Sequence, residues 1–214
     1  FPSKNLGGFG DGGMVVCNDD DLAERARILR MHGSKPKYFH REVGGNFRLD
    51  PLQAALLRVK LRRYGDYTRA RQENAAYYTG KLSALQGVVA GTPARCCCAG
   101  GQEESPGDAR VVLPTCCEHN EHIWNQFTLR VRGEGRRDAL RKHLGTREIG
   151  CEIYYPLTMD QQECFTNLPE RSRTGNEAAH LLATEALSIP IYPELRREMQ
   201  DHVVTALEEF LGGD

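Results

Sequence analysis

The chain has 214 residues, of which 28 are basic and 29 acidic, for a formal charge of -1. So even a balance argues against nucleic acid or an anionic membrane surface as the main partner. No apolar run approaches the ~20 residues of a membrane helix, and 40% hydrophobic with 27% charged residues is the composition of a globular protein with a real core.

The chain opens without Met and without a basic, then apolar, leader; Phe1 to Gly8 reads as a loop, as if an upstream portion were missing. Residues 7 to 13 are Gly-Gly-Phe-Gly-Asp-Gly-Gly, a GxGxxG match at Gly8, Gly10 and Gly13. A dinucleotide fingerprint needs a helix directly after the glycines. Here Met14 to Cys17 follows, an apolar run that reads as a strand, so the dinucleotide reading fails. The glycines mark a tight turn, or backbone passing close to something bulky.

Asn18 is placed to cap a helix with Asp19, Asp20 and Asp21 in its first turn, running to about Arg30. Residues 31 to 48, with Gly33, Pro36, Gly44 and Gly45, read as a long loop, which in a compact domain is a candidate for function. Asp50, Pro51 and Gln53 then supply an N-cap, a first-position proline and a capping-box partner for the next helix. Gly65 breaks the pattern, and a long helix is expected from about Asp66 to Leu85. A domain boundary near residue 63 gives an end of a large domain at 1–63 and a small α/β domain at 64–214.

Val88 and Val89 read as a short strand. Residues 91 to 118 are rich in Gly, Pro, Cys and Glu with no period, so 92–117 is expected to be an insertion loop. Ile123 to Val131 alternates as a half-buried strand. A helix at about 136–144, a strand at Ile149 to Tyr155, a helix at 177–187 and a helix at about 196–211 complete an α/β pattern.

Few residues carry reactive chemistry in context. Lys4 is the only lysine in the first 34 residues and precedes the glycine-rich turn. A lysine that forms an imine must shed its proton and needs close packing around its partner, which glycines permit; the alternative is a surface-loop lysine. Asn46 and Arg48 precede a well-capped helix, where polar donors suit a phosphate or carboxylate, or serve ordinary turn chemistry. Arg58, Lys60, Arg62 and Arg63 spread around a helix and read as a solvated face. Tyr154 and Tyr155 end an expected strand, a common place for ligand contacts, or for half-buried packing. Cys116, Cys117, His119 and His122, with Cys96 to Cys98, have zinc-ligand chemistry. Adjacent cysteines chelate poorly, however, and no C-x-x-C pair occurs, so no metal is expected. The eight cysteines are clumped rather than spread as a disulfide framework, which points to reduced thiols and a cytoplasmic protein.

Several stretches, in order, resemble the DegT/DnrJ/EryC1/StrS family of sugar aminotransferases. They are Phe1 to Gly7 with Gly10 to Gly13, Arg30 to Gly33, Gly45 to Ala55, His122 to Gln126, Glu152 to Leu157 and Leu187 to Glu194. The resemblance covers the chain except about residues 92 to 117. It implies the aspartate aminotransferase-like fold type I: here, the end of the large domain and the C-terminal small α/β domain. It also implies pyridoxal 5'-phosphate and a homodimer with shared active sites. The expected reaction moves an amino group from an amino acid, glutamate being the expected donor, to a keto group of a nucleotide-linked sugar. By this resemblance Lys4 is the Schiff-base lysine and Asn46 reaches the cofactor phosphate of the other subunit. Arg48 looks like a contact for substrate carboxylate or sugar. Tyr154 and Tyr155 stand where many members have a His-Tyr pair lining the sugar site, and Asp160 where many have a second histidine. Family members are nearly twice this length, so the chain alone is expected to be inactive. Two other readings are a family dehydratase, which carries histidine where Lys4 stands, and a non-catalytic or regulatory relative with the same dimer fold.

Overall fold

The computed structural model describes residues 2–91, 109–117, 119–165, 167 and 175–213, and none of its described helices is long and apolar enough to cross a membrane. Cys96 to Cys98 and most of the expected insertion lie outside the described residues. The chain divides into two compact units, Phe1–Tyr67 and Thr68–Asp214.

In the first unit, α1 spans Asp20–Leu29. Its cap is Asp19, not the expected Asn18: the Asp19 carboxylate accepts the Leu22 amide at 2.9 Å, with Asp20 and Asp21 in the first turn. Residues 44–47 return beside the end of α1. Gly45 donates to the Leu29 carbonyl, His32 to that of Gly45 and Phe47 to that of Arg30, at 3.0 to 3.1 Å. The pinch needs glycine, because a Cβ on Gly33 (φ +70°) would lie 1.8 Å from the Glu42 carbonyl oxygen. Helix α2 spans Pro51–Leu61, and α3, Tyr64–Leu82, begins after two intervening residues. Gly65 is therefore inside α3 and the break falls at Arg62 and Arg63. In the first turn of a helix the backbone amides have no helical partner, so glycine is tolerated there. Met14 to Cys17 forms no strand: Met14, Val15 and Val16 are exposed, and no described residue pairs with them. A strand requires a neighbour to take its backbone bonds. Among the described residues of this unit, Leu57 is the one buried apolar side chain.

The second unit holds a four-stranded sheet in the order β1 (Val88–Ala90), β2 (Val111–Leu113), β3 (Phe127–Val131), β4 (Ala186–Ile189). Strands β1 and β2 are parallel, and the other neighbours are antiparallel. Parallel pairing demands a crossover of about a dozen residues or more, which the chain between Ala90 and Val111 is long enough to supply. Strand β2 falls inside the stretch expected to be an insertion, and all three of its residues are buried. Strand β3 keeps the expected alternation, with Phe127, Leu129 and Val131 inward, but starts four residues late because Trp124 sits at φ +46°. Ile149 to Tyr155 is not a strand; Glu152 alone makes a bridge, to Ser188.

Helices α4 (Arg136–Thr146), α5 (Glu177–Glu185) and α6 (Arg197–Gly212) complete the unit. Leu187, expected in a helix, belongs to β4, a strand buried on both faces. The core joins Tyr78 and Leu82 of α3, Phe127 and Leu129 of β3, Leu140 and Leu144 of α4, and Leu207 of α6. A polar seam crosses it. The buried Gln200 donates to the Asn74 carbonyl at 3.0 Å, and Arg71 Nη1 donates to the carbonyls of Trp124, Asn125 and Ile191 at 2.9, 3.3 and 2.9 Å.

Candidate functional site

The expected residues fall in both units: Lys4, Asn46 and Arg48 in the first, Tyr154 and Tyr155 in the second. In the first unit, helix α2 holds the segment that follows Lys4. Lys60 Nζ donates to the Gly7 carbonyl at 2.7 Å, and the Phe9 amide donates to Gln53 Oε1 at 3.0 Å. Gln53 is therefore not the capping-box partner the spacing suggests, and Asp50 makes no side-chain cap bond. Gly7 is buried with φ +62°, and a Cβ on Gly10 would meet Gln53 Nε2 at 2.5 Å. The glycines thus let the turn lie flat on α2.

Lys4 itself is exposed, and Nζ donates to the Ser3 hydroxyl at 3.2 Å. Among the described residues it makes no ion pair. An amine held only by a neutral hydroxyl can reach an aldehyde carbon without first separating from a carboxylate. This donor chemistry fits pyridoxal phosphate. Asn46 bridges to Met31 through the backbone, so the end of α1 fixes it. Its Oδ1 accepts Arg48 Nε at 2.7 Å. That bond settles the amide's orientation: Nδ2 is left as a donor toward any anion beyond.

In the second unit the Tyr154 and Tyr155 rings meet edge-on, 5.9 Å apart. Tyr154 lines a cleft of about 420 Å³ with Asn125, Gln126, Glu152, Ser188 and Tyr192. Asn125 and Gln126 were not singled out as site residues by their chemistry. Their signal lay in the His122 to Gln126 stretch ahead of an alternating strand. The His122 ring lies tilted against Trp124, centroids 4.1 Å apart, and its Nδ1 accepts the Trp124 amide at 2.9 Å. Burial lowers the pKa of His122, which favours the neutral ring that such acceptance requires.

Asp160 occupies a short 3-10 turn, Met159–Gln161. Its carboxylate accepts Thr158 Oγ1 at 2.6 Å and faces His180 Nε2 at 2.7 Å. The Thr158 hydroxyl first, and His180 second, hold it below the usual carboxylate pKa. Nothing in its neighbours' types announced this pairing, since His180 lies on α5, far along the chain. Among the described residues no cluster of three or more His, Cys, Asp or Glu is gathered as a metal site. Cys17, Cys116, Cys117, Cys151 and Cys164 are free thiols.

A model of the DegT/DnrJ/EryC1/StrS aminotransferase family matches residues 1–96 and 103–208. The chain is 40% identical over 210 residues to the pleiotropic regulatory protein of Geobacillus stearothermophilus, covering 98% of this chain and 50% of that protein. It is 35% identical over 212 residues to the dTDP-3-amino-3,4,6-trideoxy-alpha-D-glucose transaminase of Streptomyces venezuelae, covering 98% and 48%. The crystal structure of S. venezuelae DesV in complex with a ketimine intermediate superposes with a TM-score of 0.79 at 35% identity, covering 98% of this chain and 49% of that one. The chain spans about half the length of the curated relatives it matches. The fold is that of fold-type I pyridoxal-phosphate aminotransferases, as the sequence motifs led us to expect. The chain belongs to the DegT/DnrJ/EryC1/StrS aminotransferase family.

Proposed function

We propose that the protein containing this chain transfers an amino group from an amino acid, with glutamate as donor, to a keto carbon of a nucleotide-linked sugar. The observation that carries this reading is Lys4: an amine free of carboxylate partners among the described residues, followed by a glycine turn that α2 holds in place. The name of the S. venezuelae relative supports the substrate class. Pyridoxal phosphate would supply the electron sink for breaking the bond to the amino acid's α-proton.

Lys4 Nζ would hold pyridoxal phosphate at its aldehyde carbon until an amino donor takes its place. The freed Nζ would then be the base and acid that moves the proton of the donor's α-carbon and, in the reverse sense, that of the sugar carbon. Asn46 Nδ2 would donate to the phosphate of the cofactor in the second subunit of a homodimer. The exposed Val43 and Phe47 that flank it suit such an interface. Arg48 keeps guanidinium donors beyond Nε for a substrate carboxylate or sugar oxygen. The hydroxyls of Tyr154 and Tyr155 face the sugar. On this reading residues 1–63 end a large domain, 64–214 form the small one, and the free thiols suit the cytoplasm.

The test is borohydride reduction of the full-length protein with pyridoxal phosphate, followed by peptide mass spectrometry. Label on Lys4, and loss of amino exchange in Lys4→Ala, are expected. Label on another lysine ends the assignment. The 214-residue chain alone, with Met14, Val15 and Val16 uncovered, should give no stable cofactor band. A second reading, a regulatory relative, is favoured by the name of the G. stearothermophilus protein. Label on Lys4 without exchange from any amino donor would select it.

A further inference from the structure

The segment that carries Tyr154 and Tyr155 is a strap with two anchors. At its near end Glu152 and Ser188 exchange backbone bonds, Glu152 N to Ser188 O at 3.0 Å and Ser188 N to Glu152 O at 2.8 Å. At its far end the Asp160 carboxylate, 10% exposed, meets His180 Nε2 at 2.7 Å. Residues 153–158 form no helix or strand of their own. Ile153 points into the core, while Tyr154, Tyr155, Leu157 and Met159 are exposed. The strap's position is thus set by its ends rather than by packing along its length.

Both anchors stand on one continuous element. His180 is on α5, and α5 runs directly into β4, which holds Ser188. That element is fixed from two sides. Arg137 Nη1 of α4 donates to the carbonyls of Ala183 and Ala186, at 2.9 and 3.4 Å, across the helix–strand junction. Arg130 of β3 pairs with Glu185 at 3.0 Å. The far anchor is also rigid within the strap. Thr158 Oγ1 donates to Asp160 Oδ1, and the Thr158 amide donates to Gln161 Oε1 at 3.0 Å. A carboxylate held this way has one oxygen spent on the strap's own turn and the other directed at α5.

We propose that Asp160 and His180 are positioning residues: their bond ties the tyrosine-bearing strap to the α5–β4 element and so sets the placement of Tyr154 and Tyr155 for the sugar substrate. This rests on the reading that these tyrosines face the sugar. Neither Asp160 nor His180 touches the reacting atoms in this account. A lost anchor should therefore weaken sugar affinity and leave the amino-donor half-reaction untouched.

The experiment compares full-length Asp160→Ala, His180→Ala, the double variant and His180→Gln. Hydrogen exchange of peptides covering 153–159 is read by mass spectrometry. Steady-state kinetics use dTDP-3-amino-3,4,6-trideoxy-α-D-glucose with 2-oxoglutarate, the transfer run in reverse. Each alanine variant should speed exchange in 153–159 and raise KM for the amino sugar about tenfold, the loss of one charge-assisted bond. The rate with glutamate alone should hold, and α5 and β4 should stay protected, which shows that the fold persists. The double variant should be no worse than Asp160→Ala, because the bond between Asp160 and His180 is lost in all three and Asp160→Ala already gives up the Thr158 contact as well. Gln at position 180 keeps an amide donor for Asp160 and should restore most of the affinity. Unchanged exchange in 153–159, or additive single effects, overturns the proposal. Faster exchange with unchanged KM overturns it too, and Tyr154→Phe with Tyr155→Phe then separates the causes: raised KM there keeps the tyrosine contacts, while unchanged KM removes that reading as well. Should the unaltered protein not turn over this sugar, the substrate reading fails and the exchange arm alone decides the role of the pair.

Discussion

The side chain of Gln53 accepts the backbone amide of Phe9 at 3.0 Å, across 44 residues of sequence. A residue spaced to close its own helix cap instead holds the turn that follows Lys4. The capping box satisfies orphan amides at the helix end, but water does the same for an exposed end. The Phe9 amide, in a turn that glycines press against α2, gains more from a fixed acceptor.

Gln53→Ala should therefore loosen that turn without unfolding α2. A neutral hydrogen bond contributes about 0.5–1.5 kcal/mol, so exchange of the Phe9 amide should quicken about 2- to 10-fold. Gln53→Glu retains an acceptor oxygen and should preserve protection. Equal exchange in Gln53→Ala and the parent would show that the turn is held by other contacts.

Thiol chemistry should sort by environment. Burial raises the pKa of Cys151, with the Arg141 charge opposing and Glu152 reinforcing the rise, whereas Cys17 and Cys164 are exposed. A raised pKa means less thiolate at a given pH, and the thiolate is the nucleophile. At pH 8, iodoacetamide should label Cys17 and Cys164 well before Cys151, and urea should erase the difference. Labelling of Cys151 in the folded protein at the rate of Cys164 would contradict the burial argument.

Helices with a 3.6 period were legible in the sequence: α1, α4 and α6 lie within a residue or two of expectation. Short apolar runs were not. Val111 to Leu113 is a central strand hidden in loop-like composition, whereas Met14 to Cys17 has strand composition and no paired strand among the described residues. A run of three or four residues has no period to read, and pairing depends on chain that lies elsewhere. Leu187 shows the same limit, since helix and buried strand look alike over Ala186 to Ile189. The candidate site rests on family motifs rather than on local chemistry. Asn46 and Arg48 touch each other as neighbours in sequence can, but the Asp160–His180 contact depends on where α5 runs.

Arg71 should govern the wall that Asn125 and Gln126 form. Its Nη1 serves three carbonyls, those of Trp124, Asn125 and Ile191, and so stitches α3 to both segments beside the cleft. Removing a charged donor leaves part-buried carbonyls short of a partner, at a cost of about 1.5–3 kcal/mol. Arg71→Met should lower the urea midpoint accordingly. Trp124 is the single tryptophan and stacks on Phe127 at 5.4 Å, so its fluorescence reports the same segment. In Arg71→Met the emission should move to longer wavelength as the segment admits water. Arg71→Lys, which keeps the charge but loses the planar fork, should fall between the two. If Arg71→Met kept both the midpoint and the emission of the parent, the stitch would carry no energy and the cleft wall would owe its shape to the Trp124–Phe127 packing instead.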